Sequence, residues 1–152
     1  MVVTPSQSWS SLARMDERFA LRLSPRYMEV DQQGVVFNAW YLVWFDEAFT
    51  AWMRHVGVGY DELVGRGVDV QNVHAELDYR SGVRWGEEVG VEVDVVRVGG
   101  KSFTLGYTVR RGGEACVEGS IVYAVVATDG SGALEIPADL RAILEEHQRQ
   151  AA

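Results

Sequence analysis

One change of hydrophobic period, close to residue 69, constrains this chain more than any other feature. Before it, the segment AWYLVWFDEAFTAWMRHV (residues 39–56) repeats Tyr41, Leu42, Phe45, Ala48, Phe49, Trp52 and Val56 at helical spacing. Trp40 and Trp44 broaden that apolar surface. The pattern predicts one long, largely buried helix, with Asn38 as its N-cap and Gly57 and Gly59 as its stop. After residue 69 the period is two: Val73, Ala75, Leu77 and Tyr79 alternate with Asn72, His74, Glu76 and Asp78. Alternation continues through Val89–Val95, Phe103–Val109 and Ala115–Val125, separated by the pairs Gly99-Gly100 and Gly112-Gly113. Two glycine pairs between alternating runs are hairpin signals, so this half predicts an antiparallel meander.

The flanks complete the outline. Phe19, Leu21 and Leu23 alternate with Arg18, Ala20 and Arg22, predicting a first strand that ends near Pro25. Residues 60–67 read as a short helix or loop, and Pro137 opens a last amphipathic helix through Leu140, Ile143 and Leu144. One antiparallel sheet around one apolar helix is an α+β arrangement. At 152 residues the chain fits one domain. The expected organisation is a flexible N-terminal arm, residues 1–17, followed by a single domain over residues 18–148.

Charge and composition exclude several classes. Twenty-two acidic against 14 basic residues give a net charge of -8, which argues against nucleic acid as the main partner. A small anionic ligand held by a local basic cluster is still allowed, because the bulk field is screened at physiological salt. Cys116 is the single cysteine, which leaves no intrachain disulfide and no cysteine-based metal cluster. It sits in an alternating run and reads as a packed residue. His55, His74 and His147 have no metal-ligand spacing, so no metal is expected. The N-terminus lacks a secretory pattern and no run approaches a membrane span, so the expectation is a cytoplasmic protein with no membrane partner.

Chemistry concentrates between the first strand and the helix. In YMEVDQQGVVFNAWYLVWFDEA (residues 27–48), Asp31 follows the strand, Gly34 lies in the loop, and the helix starts seven residues after the acid. Helix starts offer unpaired N–H groups and a positive dipole end, which stabilise an oxygen that develops negative charge. A carboxylate there can attack a polarised carbonyl or activate water. Gly34 lets the backbone turn or approach a ligand. By spacing alone, however, an aspartate in this place is usually a turn or capping residue.

The same residues carry a resemblance. Asp31, Gly34, Val35, Val36, Phe37, Asn38 and Tyr41, continuing through Trp44-Phe45-Asp46-Glu47-Ala48, resemble the signature of hotdog-fold thioesterases of the 4-hydroxybenzoyl-CoA thioesterase group, including the Tol–Pal-associated relatives. Weaker resemblance covers residues 18–127, with Tyr79–Glu88 and Lys101-Ser102-Phe103 as secondary matches. It implies a hotdog fold, a sheet wrapped around the long central helix. It also implies hydrolysis of an acyl thioester, from coenzyme A or a phosphopantetheine carrier, with no cofactor. Asp31 matches the catalytic acid, the Asn38 N–H the carbonyl-polarising amide, and Tyr27 a tyrosine beside the site. Asn38 stands where the Tol–Pal branch commonly has histidine; an amide side chain cannot exchange a proton near neutral pH. Relatives of this fold assemble as homodimers or homotetramers with the site between subunits.

Further candidates are weighed beside these. Phe37 and Trp40 adjoin the junction and could line an acyl pocket, although core packing explains them equally well. Arg80, Arg84, Arg97 and Lys101 could bind the phosphates of the substrate, with Lys101 best placed by the resemblance and Arg84 second; each alone is more often a solvated charge. Asp46 and Glu47 form a second acidic pair on the helix, with exposure or ion pairing as the simpler reading. The rival functions are a non-catalytic acyl-CoA or acyl-carrier binding module, and a hotdog dehydratase or hydratase. The lack of a histidine at the junction disfavours the latter.

Overall fold

The protein is described here from a computed structural model that covers residues 18–150, so the expected arm over residues 1–17 lies outside the described residues. In chain order the elements are β1 (Ala20–Leu23), a 3-10 turn (Tyr27–Glu29), α1 (Trp40–His55), α2 (Tyr60–Gly65), β2 (Val68–Tyr79), β3 (Val89–Val98), β4 (Ser102–Arg111), β5 (Glu114–Ala127) and α3 (Ala138–Gln150). The five strands form one antiparallel sheet in the order β1-β3-β4-β5-β2. This is the expected α+β hotdog arrangement. The two glycine pairs do turn β3 into β4 and β4 into β5.

One expectation about the sheet is corrected. β2 does not continue a meander with β3; it pairs with β5, Tyr79 opposite Val117 and Val70 opposite Val125. The nine residues 80–88 between β2 and β3 do turn at Arg84–Glu87, where the Glu87 N–H donates to the Arg84 carbonyl at 3.2 Å, but they carry the chain across to the other side of the sheet and do not join the two strands as a hairpin. β2 is thereby left at an edge. A register shift between Asn72 and His74 leaves Val73 out of the ladder, and that side chain is exposed.

α1 lies across the sheet because its aromatic residues meet aromatic residues of β4 and β5. Phe45 stacks on Tyr107 with ring centroids 4.6 Å apart, and Phe49 stacks on Tyr123 at 4.7 Å. Gly119 permits this approach: a Cβ there would stand 2.6 Å from the Glu76 carbonyl oxygen and 2.9 Å from the Phe45 ring. The hydroxyls of Tyr107 and Tyr123 hydrogen-bond to each other inside the core. α3 covers the far end, where Trp52 meets His147 edge-on and the Arg141 guanidinium donates to the Gly99 carbonyl at 2.7 Å.

Two details of α1 depart from the sequence pattern. Its buried residues are Tyr41, Trp44, Phe45, Ala48, Phe49, Trp52 and Met53, while Leu42 and Val43 are exposed. A helix on one sheet buries one stripe, and among the described residues no second layer covers the opposite face. The N-cap position belongs to Ala39, and no side chain caps it. The chain enters α1 through a turn closed by the Trp40 N–H on the Phe37 carbonyl (3.0 Å), so Asn38 stands before the cap.

Candidate active site

Residues 29–37 form a miniature hairpin. The Phe37 N–H donates to the Glu29 carbonyl at 2.9 Å, and the Asp31 N–H donates to the Val35 carbonyl at 2.9 Å. Val30 and Val36 bridge between them. The tip turns at Gly34, whose φ of 78° lies in the left-handed region that glycine adopts without penalty. The Val36 N–H bonds the Val83 carbonyl, and Val35 bridges to Arg84, so the hairpin is pinned to the segment after β2.

This geometry fixes Asp31. Its Oδ1 accepts the Gln33 N–H at 2.8 Å, and its carbonyl accepts the Gly34 N–H at 3.0 Å. The carboxylate therefore does serve the turn, as one reading of the sequence held. Among the described residues Oδ2 has no hydrogen-bond partner, so one oxygen anchors the group and the other can face a ligand. The amides that open α1 are also available: among the described residues the N–H groups of Asn38 and Ala39 donate to nothing. The Asn38 carbonyl accepts the Tyr79 hydroxyl at 3.2 Å, tying the helix start to the end of β2.

Other sequence candidates fall into two groups. Arg84 is at the site: a methyl on Gly34 would stand 3.3 Å from its Nη1. Tyr27, 86% exposed, lies on the 3-10 turn. Phe37 is half exposed beside the hairpin. Trp40 is partly buried, and the Arg26 guanidinium lies 5.9 Å from its ring centre, a cation–π contact. Lys101 is elsewhere in the chain. Its carbonyl accepts the Val125 N–H, whereas Tyr79, which touches Asn38, is opposite Val117. Eight residues of extended strand separate those two points, about 26 Å.

Sequence reasoning passed over Glu29. It is 1% exposed, yet ionisable. Oε1 accepts Nε and Nη2 of Arg26 at 3.0 and 2.7 Å and the Trp44 indole N–H at 3.2 Å; Oε2 accepts the Arg26 N–H at 2.7 Å. Burial acts to raise its pKa, but these donors outweigh burial and hold the carboxyl below the usual glutamate range. The only sequence signal was position: Glu29 is two residues from Asp31, which on a strand gives a common face.

The remaining chemistry-bearing residues have plain roles. Glu47 pairs with Arg26 at 4.0 Å, while Asp46 accepts the Asn72 amide at 3.3 Å. Asp46 lies at a cavity of about 220 Å³ between α1 and β2, together with Phe49, Thr50, Tyr60, Asn72 and Tyr123. His74 contacts Glu76, and His147 donates Nδ1–H to the Ile143 carbonyl. Cys116 is buried, and burial pushes its thiol up, as packing rather than reactivity requires. Arg80 pairs with Glu118, and Arg97 bonds Ser102. Among the described residues no group of three His, Cys, Asp or Glu side chains could hold a metal ion, and no helix is long and apolar enough to cross a membrane.

One antiparallel five-stranded sheet folded over a long central helix is the hotdog arrangement. The sequence pattern of the thioesterase superfamily matches residues 33–118, more than half of the chain, and the chain belongs to that superfamily. The match begins two residues after Asp31 and takes in Gly34 and all of α1. The Bacillus subtilis protein YneP, provisionally named an acyl-CoA thioesterase, is 32% identical over 82 residues, 54% of this chain and 59% of YneP. This chain thus aligns with less than two thirds of that relative. The crystal structure of the hypothetical protein TT1821 from Thermus thermophilus superposes with a TM-score of 0.80 at 28% identity, covering 84% of this chain and 98% of TT1821. A DHNA-CoA thioesterase from Staphylococcus aureus shares the fold, with a TM-score of 0.80 at 19% identity over 87% of this chain and 91% of that one.

Proposed function

We propose that this chain hydrolyses an acyl thioester of coenzyme A to a carboxylic acid and free thiol, at the junction of the Asp31 turn and the start of α1. What supports this reading is a carboxylate with one oxygen unengaged among the described residues, seven residues before helix-start amides that donate to nothing there. A thioester carbonyl placed over the Asn38 and Ala39 N–H groups would have its developing oxyanion stabilised by those donors and by the helix dipole. Asp31 Oδ2 then either takes a proton from water that attacks the carbonyl carbon, or attacks it directly and is released by water. In both routes the C–S bond breaks, the thiolate leaves and is protonated, and one water is consumed. The Asn38 side chain needs no proton-transfer role, since the backbone amide is the working group. The run from Asp31 through Gly34 to Asn38 supports a place in the 4-hydroxybenzoyl-CoA thioesterase group.

Arg84, at the rim of the turn, is suited to an anionic part of the substrate. Lys101 is kept only as a contact for the far, phosphate-bearing end. The cavity at Asp46 begins eight residues along α1 from Asn38, about 12 Å at helical rise, and offers room for an acyl group. A second copy of the chain fits the open edge of β2, because an unpaired edge is stabilised by pairing. The test is thiol release from a panel of acyl-CoA compounds, followed with a thiol-reactive dye. Release that Asp31→Ala abolishes in a folded protein supports the proposal. Binding without release favours a non-catalytic acyl-CoA module, and water addition to an enoyl thioester favours a hydratase.

A further inference from the structure

Glu29 reaches both halves of the junction at once. Its backbone carbonyl holds the Phe37 N–H on the returning arm of the hairpin, and its side chain holds the Trp44 indole in the second turn of α1. Arg26 closes the other side with three donors, the backbone N–H, Nε and Nη2. The guanidinium is itself seated against the helix, over Trp40 and 4.0 Å from Glu47. The Trp44 indole ties the carboxylate to α1 directly, and the three Arg26 donors tie it there a second time through the guanidinium seated on Trp40 and Glu47. Asp31 is the last residue of the outgoing arm, two positions from this clamp, and Asn38 follows its returning arm directly. We propose that Glu29, clamped between Arg26 and Trp44, is a positioning residue that sets the distance between the Asp31 carboxylate and the amides at the start of α1.

This rests on the hydrolytic reading above, and it adds a demand which that reading does not make. Displacement of a reacting group by about 1 Å can cost about a hundredfold in rate while the ground-state complex is little affected. Loss of the clamp should therefore fall on turnover and spare binding. A merely structural glutamate would show the opposite: less folded protein, with the folded fraction fully active.

The experiment compares wild type, Glu29→Gln and Arg26→Gln. Turnover is read by thiol release, affinity by calorimetry with a non-hydrolysable acyl-CoA thioether, and folding by thermal melting. Glu29→Gln keeps the size of the side chain and an acceptor for Trp44, but loses the charge that faces Arg26. It is expected to lower kcat by about 10–100-fold with thioether affinity within about twofold of wild type. Arg26→Gln removes the same charge pairing from a half-exposed site, so it tests the clamp even where Glu29→Gln fails to fold. It is expected to lower kcat in the same sense, by a smaller factor. An active wild type with unchanged kcat in the folded variants overturns the positioning role and leaves the hydrolytic reading intact. So does a loss of kcat that correction for the unfolded fraction fully accounts for. A wild type that hydrolyses none of the acyl-CoA panel overturns both.

Discussion

At the scale of residues, the proposed chemistry depends on a few backbone and side-chain positions between 26 and 47, together with Arg84. Gly34 is the simplest to test. Its φ of 78° places any L side chain in a costly region, and an added methyl would also crowd Arg84. Gly34→Ala is expected to destabilise the protein by about 1–2 kcal/mol in chemical denaturation. It should also depress thiol release, because the Asp31 turn shares that loop. Asp31, Gly34 and Arg84 were legible as candidates in the sequence because an acid and a glycine in a turn, and an arginine able to bind phosphate, announce themselves by residue type. Glu29 was not legible. A glutamate in a polar stretch normally faces water, and only long-range packing beneath Trp44 reveals the burial. The absence of an Asn38 side-chain cap was likewise hidden, since the turn through Phe37 shifts the helix start by one residue.

At the scale of elements, the critical contact is that of α1 with β5. Gly119→Ala would set a Cβ 2.6 Å from the Glu76 backbone oxygen, a group that cannot swing aside. The expected outcome is a loss of about 1–3 kcal/mol in chemical denaturation, with β2 and β5 forced apart. Periodicity predicted α1, β3, β4, β5 and the last helix because each carries its own repeat. It misplaced β2 for a physical reason: alternation states which face of a strand is apolar, but not which neighbour it joins. Only the length of the connection after β2, nine residues where β3–β4 and β4–β5 are joined by short glycine-pair turns, hinted that the next strand in sequence was not its partner. The exposure of Leu42 and Val43 was also hidden, because an apolar residue on a helix does not say whether a second layer exists to cover it.

At the scale of the whole molecule, two consequences follow. The β2 edge, with exposed Val73 and Tyr79 and with Leu42 and Val43 exposed on α1 among the described residues, predicts self-association. Sedimentation velocity should give at least twice the 16.9 kDa chain mass, and a monomer at micromolar concentration would contradict the proposed oligomer. The second concerns pH. The Glu29 carboxyl is held low in the folded state by Arg26 and Trp44, so the stability it supplies is present above the ordinary glutamate pKa, about 4.3. That stability is lost as pH falls through the lowered folded value. The melting-temperature gap between wild type and Glu29→Gln should accordingly be full near pH 7 and shrink on acidification below about pH 4. A gap that is constant across that range would remove Glu29 from the account of acid stability.

The most direct measurement is the single-turnover rate of thiol release by wild type and by Asp31→Asn, an isosteric change that keeps an acceptor for the Gln33 amide while removing the negative charge. The account predicts hydrolysis by the wild type and a fall of about 10²–10⁴-fold in the variant, with the fold and acyl-CoA binding retained. A variant that releases thiol at the wild-type rate would contradict it.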